Sequence, residues 1–211
     1  MRNRTRRPSQ RRKLKKTILI VCEGRETERN YLDGLKREET ISKTFAITIF
    51  RGRGGSRSQI VKRAINKKNA QRKEMDAVLC VLDTESLENT QVKGDLVAAR
   101  QEAGRNGITL YLSNPSFEVW FLAHFKRTSQ SFKDSKAVIV ELDKEWGPAF
   151  RQPYDKSDER MYKKLARRTQ TAVNNAKIVV ETDHKEKPDI ADRNSSTDFY
   201  QLVERLLSGT W

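Results

Sequence analysis

Three carboxylates stand where an α/β sheet would present them: Glu23 after the apolar run at 17–22, and Asp83 and Glu85 after the run at 77–82. Residues two apart on a strand point the same way, so Asp83 and Glu85 are expected to converge on one point. Acids this close repel and raise one another's pKa unless a cation lies between them. Their hard oxygens suit Mg²⁺ or Mn²⁺, which can also grip a phosphate oxygen of a substrate. Such a site would polarise a scissile phosphate and activate a water. The structural alternative is that acids after strands serve as helix N-caps and turn formers.

The elements that must position these acids are legible as short apolar runs. Ile18–Cys22 and Ala77–Leu82 are continuous rather than alternating, the pattern of strands buried on both faces, and Phe45–Phe50 and Ile108–Leu112 read as two further short strands. Helical spacing fills the intervals: Tyr31, Leu32 and Leu35 within 25–39; Ile60, Val61, Ala64 and Ile65 from about Gln59; and Leu96, Val97 and Ala103 before Gly104 and Gly107. Strands alternating with helices of this length imply right-handed crossovers and a parallel sheet flanked by helices. Ligands of such sheets bind beyond the carboxyl ends of the strands, where the three acids fall. From about residue 115 the chain reads as helical, with loops near Trp146–Tyr154 and His184–Ser196.

Charge narrows the function. Of 211 residues, 43 are Lys or Arg and 28 are Asp or Glu, for a net charge of +15. Residues 1–16 carry nine of those basic side chains and no acid, so they are expected to form a disordered arm drawn to phosphates without regard to sequence. A solubilising tail, or a dock for an acidic partner, is the competing reading. No apolar run approaches the roughly 20 residues that span a bilayer, and two cysteines cannot build a disulfide framework. The expectation is a cytoplasmic protein with no membrane association and a polyanionic partner.

The segments CEGRETERNYLDGL (22–35), RGRGGS (51–56), SNPSFEVWFLAHF (113–125) and NSSTDFYQLVERL (194–206) together resemble the RloB-like family, and VCEG with LDTES (82–86) resembles the wider TOPRIM domain. The RloB resemblance implies a TOPRIM-like four-stranded parallel sheet over 17–126 and a helical extension over 127–211. It further implies a Mg²⁺-dependent nuclease acting on DNA or RNA, an effector of abortive infection in phage defence, beside a partner ATPase of the RloA type. Glu23 takes the position of the strand-one glutamate, and Asp83 and Glu85 those of the D-x-D metal ligands, with Glu where the pattern has its second Asp. The rival is a non-catalytic nucleic-acid-binding or regulatory subunit of an ATPase-containing defence complex; a homo-oligomer is left open.

Glu118 lies in an almost wholly apolar helix, so it must meet a cation, a metal or a backbone cap. The resemblance favours a catalytic role for it. Arg51, Arg53 and Arg57 flank glycines ahead of a helix and are expected to grip substrate phosphate, although a flexible linker has the same composition. The closing Lys-Ser/Thr of a nucleotide-binding P-loop is missing. His124, Cys22 and Cys80 read as core residues, and the basic segment 160–168 as a phosphate contact or a solvated face.

Overall fold

The computed structural model describes residues 14–52, 54–85 and 90–211. Five strands form one sheet in the order β2-β1-β3-β4-β5: β1 (Lys16–Cys22), β2 (Phe45–Phe50), β3 (Ala77–Asp83), β4 (Thr109–Asn114) and β5 (Ser196–Thr197). The first four pair in parallel. Their connections are α1 (Thr27–Leu35) and α2 (Glu39–Thr44), then α3 (Arg57–Asn69), then α4 (Thr90–Arg105). After β4 come α5 (Glu118–Ala123), α6 (Ser135–Phe150), α7 (Met161–Leu165), α8 (Thr169–Ile178) and, beyond β5, α9 (Phe199–Ser208). Among the described residues no helix is long and apolar enough to cross a membrane.

Burial on both faces explains the unbroken apolar runs. Ile18, Ile20 and Cys22 face a large aromatic core with Tyr31, Trp120, Phe121, Trp146 and Phe199. Leu19, Val21, Cys80 and Leu82 face a smaller aliphatic core with Ile60, Val61, Ala64, Leu96 and Ala99. His124 belongs to the first core. Buried there, it approaches the Tyr31 hydroxyl at 3.3 Å and the Trp120 carbonyl at 2.9 Å, and burial drives its pKa down to about 3.

Several expectations need correction. The sheet has a fifth strand: Ser196 and Thr197 pair antiparallel with Asn114 and Ser113, and two residues are too few to leave a periodic signal. The helix expected over 25–39 is shorter, Thr27–Leu35, and a second helix, α2, begins only at Glu39. Val97 is 46% exposed instead of facing the core. The loop expected from Trp146 begins only at Arg151, because α6 continues through Pro148. Proline removes one backbone donor there. The Trp146 and Phe150 rings, with centroids 4.6 Å apart, hold the last turn, which ends at a left-handed Arg151. Residues 1–13 of the expected arm lie outside the described residues, and Lys16 already belongs to β1.

Candidate active site

Adjacent parallel strands β1 and β3 end together, which brings Glu23 and Asp83 side by side. The Asp83 backbone N–H donates to Glu23 Oε2 at 2.9 Å, and the Glu23 N–H donates to the Val81 carbonyl at 3.1 Å. A cavity of about 300 Å³ opens beyond these strand ends. Glu23, Glu28, Asp83 and Glu118 line it, with Lys156 and Arg25 as its basic residues and Gly54 from the glycine-rich loop.

Two of the four acids come from helix starts. Glu28 occupies the first turn of α1, 3% exposed; its Oε1 accepts from the Gly24 amide at 3.1 Å, while the buried Oε2 has no hydrogen-bond partner. Glu118 occupies the first turn of α5, 2% exposed. Its Oε2 accepts from Ser116 Oγ at 2.7 Å, and its Oε1 faces Lys156 Nζ at 3.0 Å and the Tyr154 hydroxyl at 3.3 Å. Of the fates open to a buried carboxylate here, Glu118 meets a cation; the cap position of α5 is Phe117, with no side-chain cap bond.

The acids perturb one another. Burial, then the charges of Glu28, Glu23 and Glu118, push the Asp83 carboxyl well above its usual range, and a hydrogen bond from the Phe117 backbone offsets only part of this. Burial, with repulsion from Glu23 and Glu118, lifts Glu28 to about 7 against its two backbone hydrogen bonds. Glu23 is raised more modestly, chiefly by burial, because the Asp83 amide and Arg57 oppose the rise. Asp83 Oδ1, like Glu28 Oε2, is buried without a partner.

Glu85 does not join this group. β3 ends at Asp83 and Glu85 takes a left-handed backbone (φ 53°), so the two-residue alternation expected to align it with Asp83 is broken. Its side chain is 59% exposed, bonds Arg57 Nη2 at 3.1 Å and does not line the cavity. Arg57 is itself buried. Its Nε donates to the Asp83 carbonyl at 2.7 Å, its Nη2 to the Thr84 carbonyl at 2.8 Å, and its Nη1 lies 3.5 Å from Asp95. Its guanidinium thus braces the β3 turn from behind, where phosphate contact was expected. Arg51 is exposed on the other side of the glycine-rich loop, and Arg53 lies outside the described residues.

A match to the model of RloB-like proteins spans residues 18–206, from β1 into α9. The chain belongs to the RloB-like family. All four cavity acids of this RloB-like chain fall within the match. No curated protein and no solved structure matches it.

The residues suit a hard divalent cation in kind: all donors are oxygens, and two buried carboxylate oxygens stand unpartnered. Among the described residues no group of three or more His, Cys, Asp or Glu is arranged to hold a metal ion. Mg²⁺ asks for less than a full protein cage, usually taking one or two carboxylates and completing its shell with water and substrate phosphate. Glu23 and Asp83 are the residues that would hold it.

Sequence reasoning missed Glu28, Lys156 and Tyr154. A signal for Glu28 existed: it stands at i with Tyr31, Leu32 and Leu35 at i+3, i+4 and i+7, a carboxylate on the apolar stripe of its own helix. Lys156 and Tyr154 sit in a loop, and only tertiary packing brings them to Glu118.

Proposed function

We propose that this RloB-like protein is a Mg²⁺- or Mn²⁺-dependent nuclease, the effector of a phage-defence system, hydrolysing phosphodiester bonds of DNA or RNA at the Glu23–Glu28–Asp83–Glu118 cavity. One observation carries the reading: four carboxylates from three separate stretches of chain share one cavity, and two of their buried oxygens bond nothing. Burying mutually repelling acids costs several kcal/mol, an arrangement that persists where function requires it. Once bound, the divalent ion would supply Lewis-acid polarisation of the phosphate and activation of water.

The chain's own groups divide the remaining tasks. Asp83 lines the cavity with its buried Oδ1 unpartnered, and the Phe117 backbone offsets only part of the upward shift of its carboxyl. Glu23 is fixed by the Asp83 amide, so the two carboxylates are oriented by each other's backbone. Glu28 Oε2 is the acceptor placed to take a proton inside the cavity, with Oε1 anchored on Gly24. Lys156, half-exposed and paired with Glu118, offers a positive charge to a phosphate entering from solvent. The rival of a non-catalytic subunit predicts binding without turnover.

The test is incubation of the purified full chain with labelled DNA and RNA, with and without Mn²⁺, for wild type, Glu23→Gln and Asp83→Asn. Each substitution should lower cleavage by at least about 10²-fold, since a metal position shifted by about 1 Å costs that much, while thermal unfolding stays at or above the wild-type temperature. Cleavage that survives exhaustive chelation would overturn the reading.

A further inference from the structure

Next to the acid cavity lies a depression of the opposite sign. A groove of about 700 Å³ opens where β1 and the edge strand β2 end, lined by Arg25, Arg29, Arg51, Arg63 and Lys67 around Phe50. No carboxylate lines it among the described residues. Arg29 is paired with Asp33 at 3.0 Å. Arg63 Nη1 donates to the Gly54 carbonyl at 2.7 Å, and Lys67 Nζ stands 4.3 Å from the centre of the Phe50 ring. Neither makes an ion pair with a described residue, and Arg25 and Arg51 bond none at all. Arg25 lines both the groove and the acid cavity.

Cations grouped without counter-charges repel one another and focus a positive potential into a concave surface, which a polyanion relieves. The groove also runs into the acid cavity at Arg25, so a ligand filling it would extend toward Glu23 and Asp83. We infer that this groove seats the phosphodiester backbone of a nucleic-acid strand, on the stretch adjoining the bond held in the acid cavity. The inference rests on the nuclease reading and adds the path of the substrate. Arg25 grips the phosphate at the junction, Arg51 and Arg63 those further out, and Lys67 closes the far wall. A mononucleotide fits the layout less well, because cations spread along a wall match phosphates spaced along a backbone.

Binding is measured by fluorescence anisotropy with the full chain in EDTA, which removes turnover, using single-stranded DNA, single-stranded RNA and a duplex across a salt series. The variant carries Arg25→Gln, Arg51→Gln, Arg63→Gln and Lys67→Gln. A control carries Arg72→Gln, Lys73→Gln, Lys133→Gln and Lys185→Gln, four exposed cations outside the groove. Each lost contact should reduce the slope of log affinity against log salt by about 0.7 on a single strand and about 0.9 on a duplex. The groove variant should therefore lose about 3 units of slope and the control under about 1. Should the fourfold variant fail to fold, Arg25→Gln/Arg51→Gln alone should lose about 1.4 units on a single strand.

Equal losses in groove variant and control would overturn the groove, as would displacement of the strand by a nucleoside triphosphate at lower concentration than by unlabelled strand. The two readings fail separately. Cleavage with an unchanged salt slope in the groove variant removes the groove and keeps the nuclease; groove-dependent binding without turnover under any metal does the reverse.

Discussion

Two groups of carboxylates meet at the end of β3 and differ in what neutralises them. Behind the turn, Asp95 and Glu85 share the buried guanidinium of Arg57. Burial would raise the Asp95 carboxyl, yet hydrogen bonds from Ser58, the Arg57 amide and Ser56 hold it below its usual range. In front, Asp83, Glu28 and Glu23 have only backbone amides and a nearby Arg57, and all three are pushed upward. One strand end thus carries a satisfied set and an unsatisfied one. Satisfied acids are explained by the fold; unsatisfied buried acids need a ligand to explain them.

Breaking the satisfied side should have the largest effect on stability. Arg57→Ala removes the buried guanidinium that bonds the Asp83 and Thr84 carbonyls and faces Asp95, which keeps only its serine and backbone-amide hydrogen bonds. Removing one member of a buried ionic network costs about 3–5 kcal/mol, which urea unfolding would show as a lowered midpoint. Arg57→Lys should recover little, because one ammonium cannot reach acceptors that the planar guanidinium bonds on several sides. An unchanged midpoint in Arg57→Ala would erase the distinction between the two groups.

The unsatisfied side should respond in the opposite sense, and to pH. Glu28 titrates near 7 in the folded protein against about 4.5 when unfolded, so the folded state holds its proton more tightly. That contribution is fully present below about pH 4.5 and is lost as pH rises through 7. Glu28→Gln cannot lose it, so the melting temperature of the variant minus that of wild type should climb between those pH values and level off above. His124 works the other way, its folded pKa near 3 costing stability as pH falls below its unfolded value, but it does so equally in both proteins. Added Mg²⁺ should raise the wild-type melting temperature above pH 7 and narrow the gap. A flat difference across the range would show that the cavity acids do not strain the fold.

The smallest effect belongs to Glu85→Ala. Its ion pair is solvent-exposed on the carboxylate side, and such pairs contribute about 0–1 kcal/mol. Cleavage should fall by less than about tenfold, against about 10²-fold or more for Asp83→Asn. Equal losses at the two positions would return Glu85 to the site.

How far the sequence reached follows the same physics. β1 and β3 were legible because burial on both faces demands uninterrupted apolar residues, and β2 and β4 because apolar residues still dominate them although Ala46, Thr48 and Thr109 are exposed; β5, two polar residues placed by pairing with Ser113 and Asn114, was not. Glu23 and Asp83 were legible as acids ending neighbouring strands. Glu85 was misplaced because strand alternation was carried two residues past the point where β3 stops. Arg57 read as a surface phosphate ligand because its sequence neighbours are glycine, serine and arginine, whereas its position at the start of α3 turns it inward beneath the β3 turn.

Gly52 gives the molecule a property of its own. A Cβ built there would stand 1.7 Å from the Glu23 carbonyl oxygen, so Gly52, which lines the basic groove, packs directly on the backbone of a cavity acid. At that partition main chain meets main chain, with no side chain between Gly52 and Glu23. A strand that lifts or presses the loop at Gly52 must therefore shift Glu23 with it, and occupancy on one side of that partition is felt as geometry on the other.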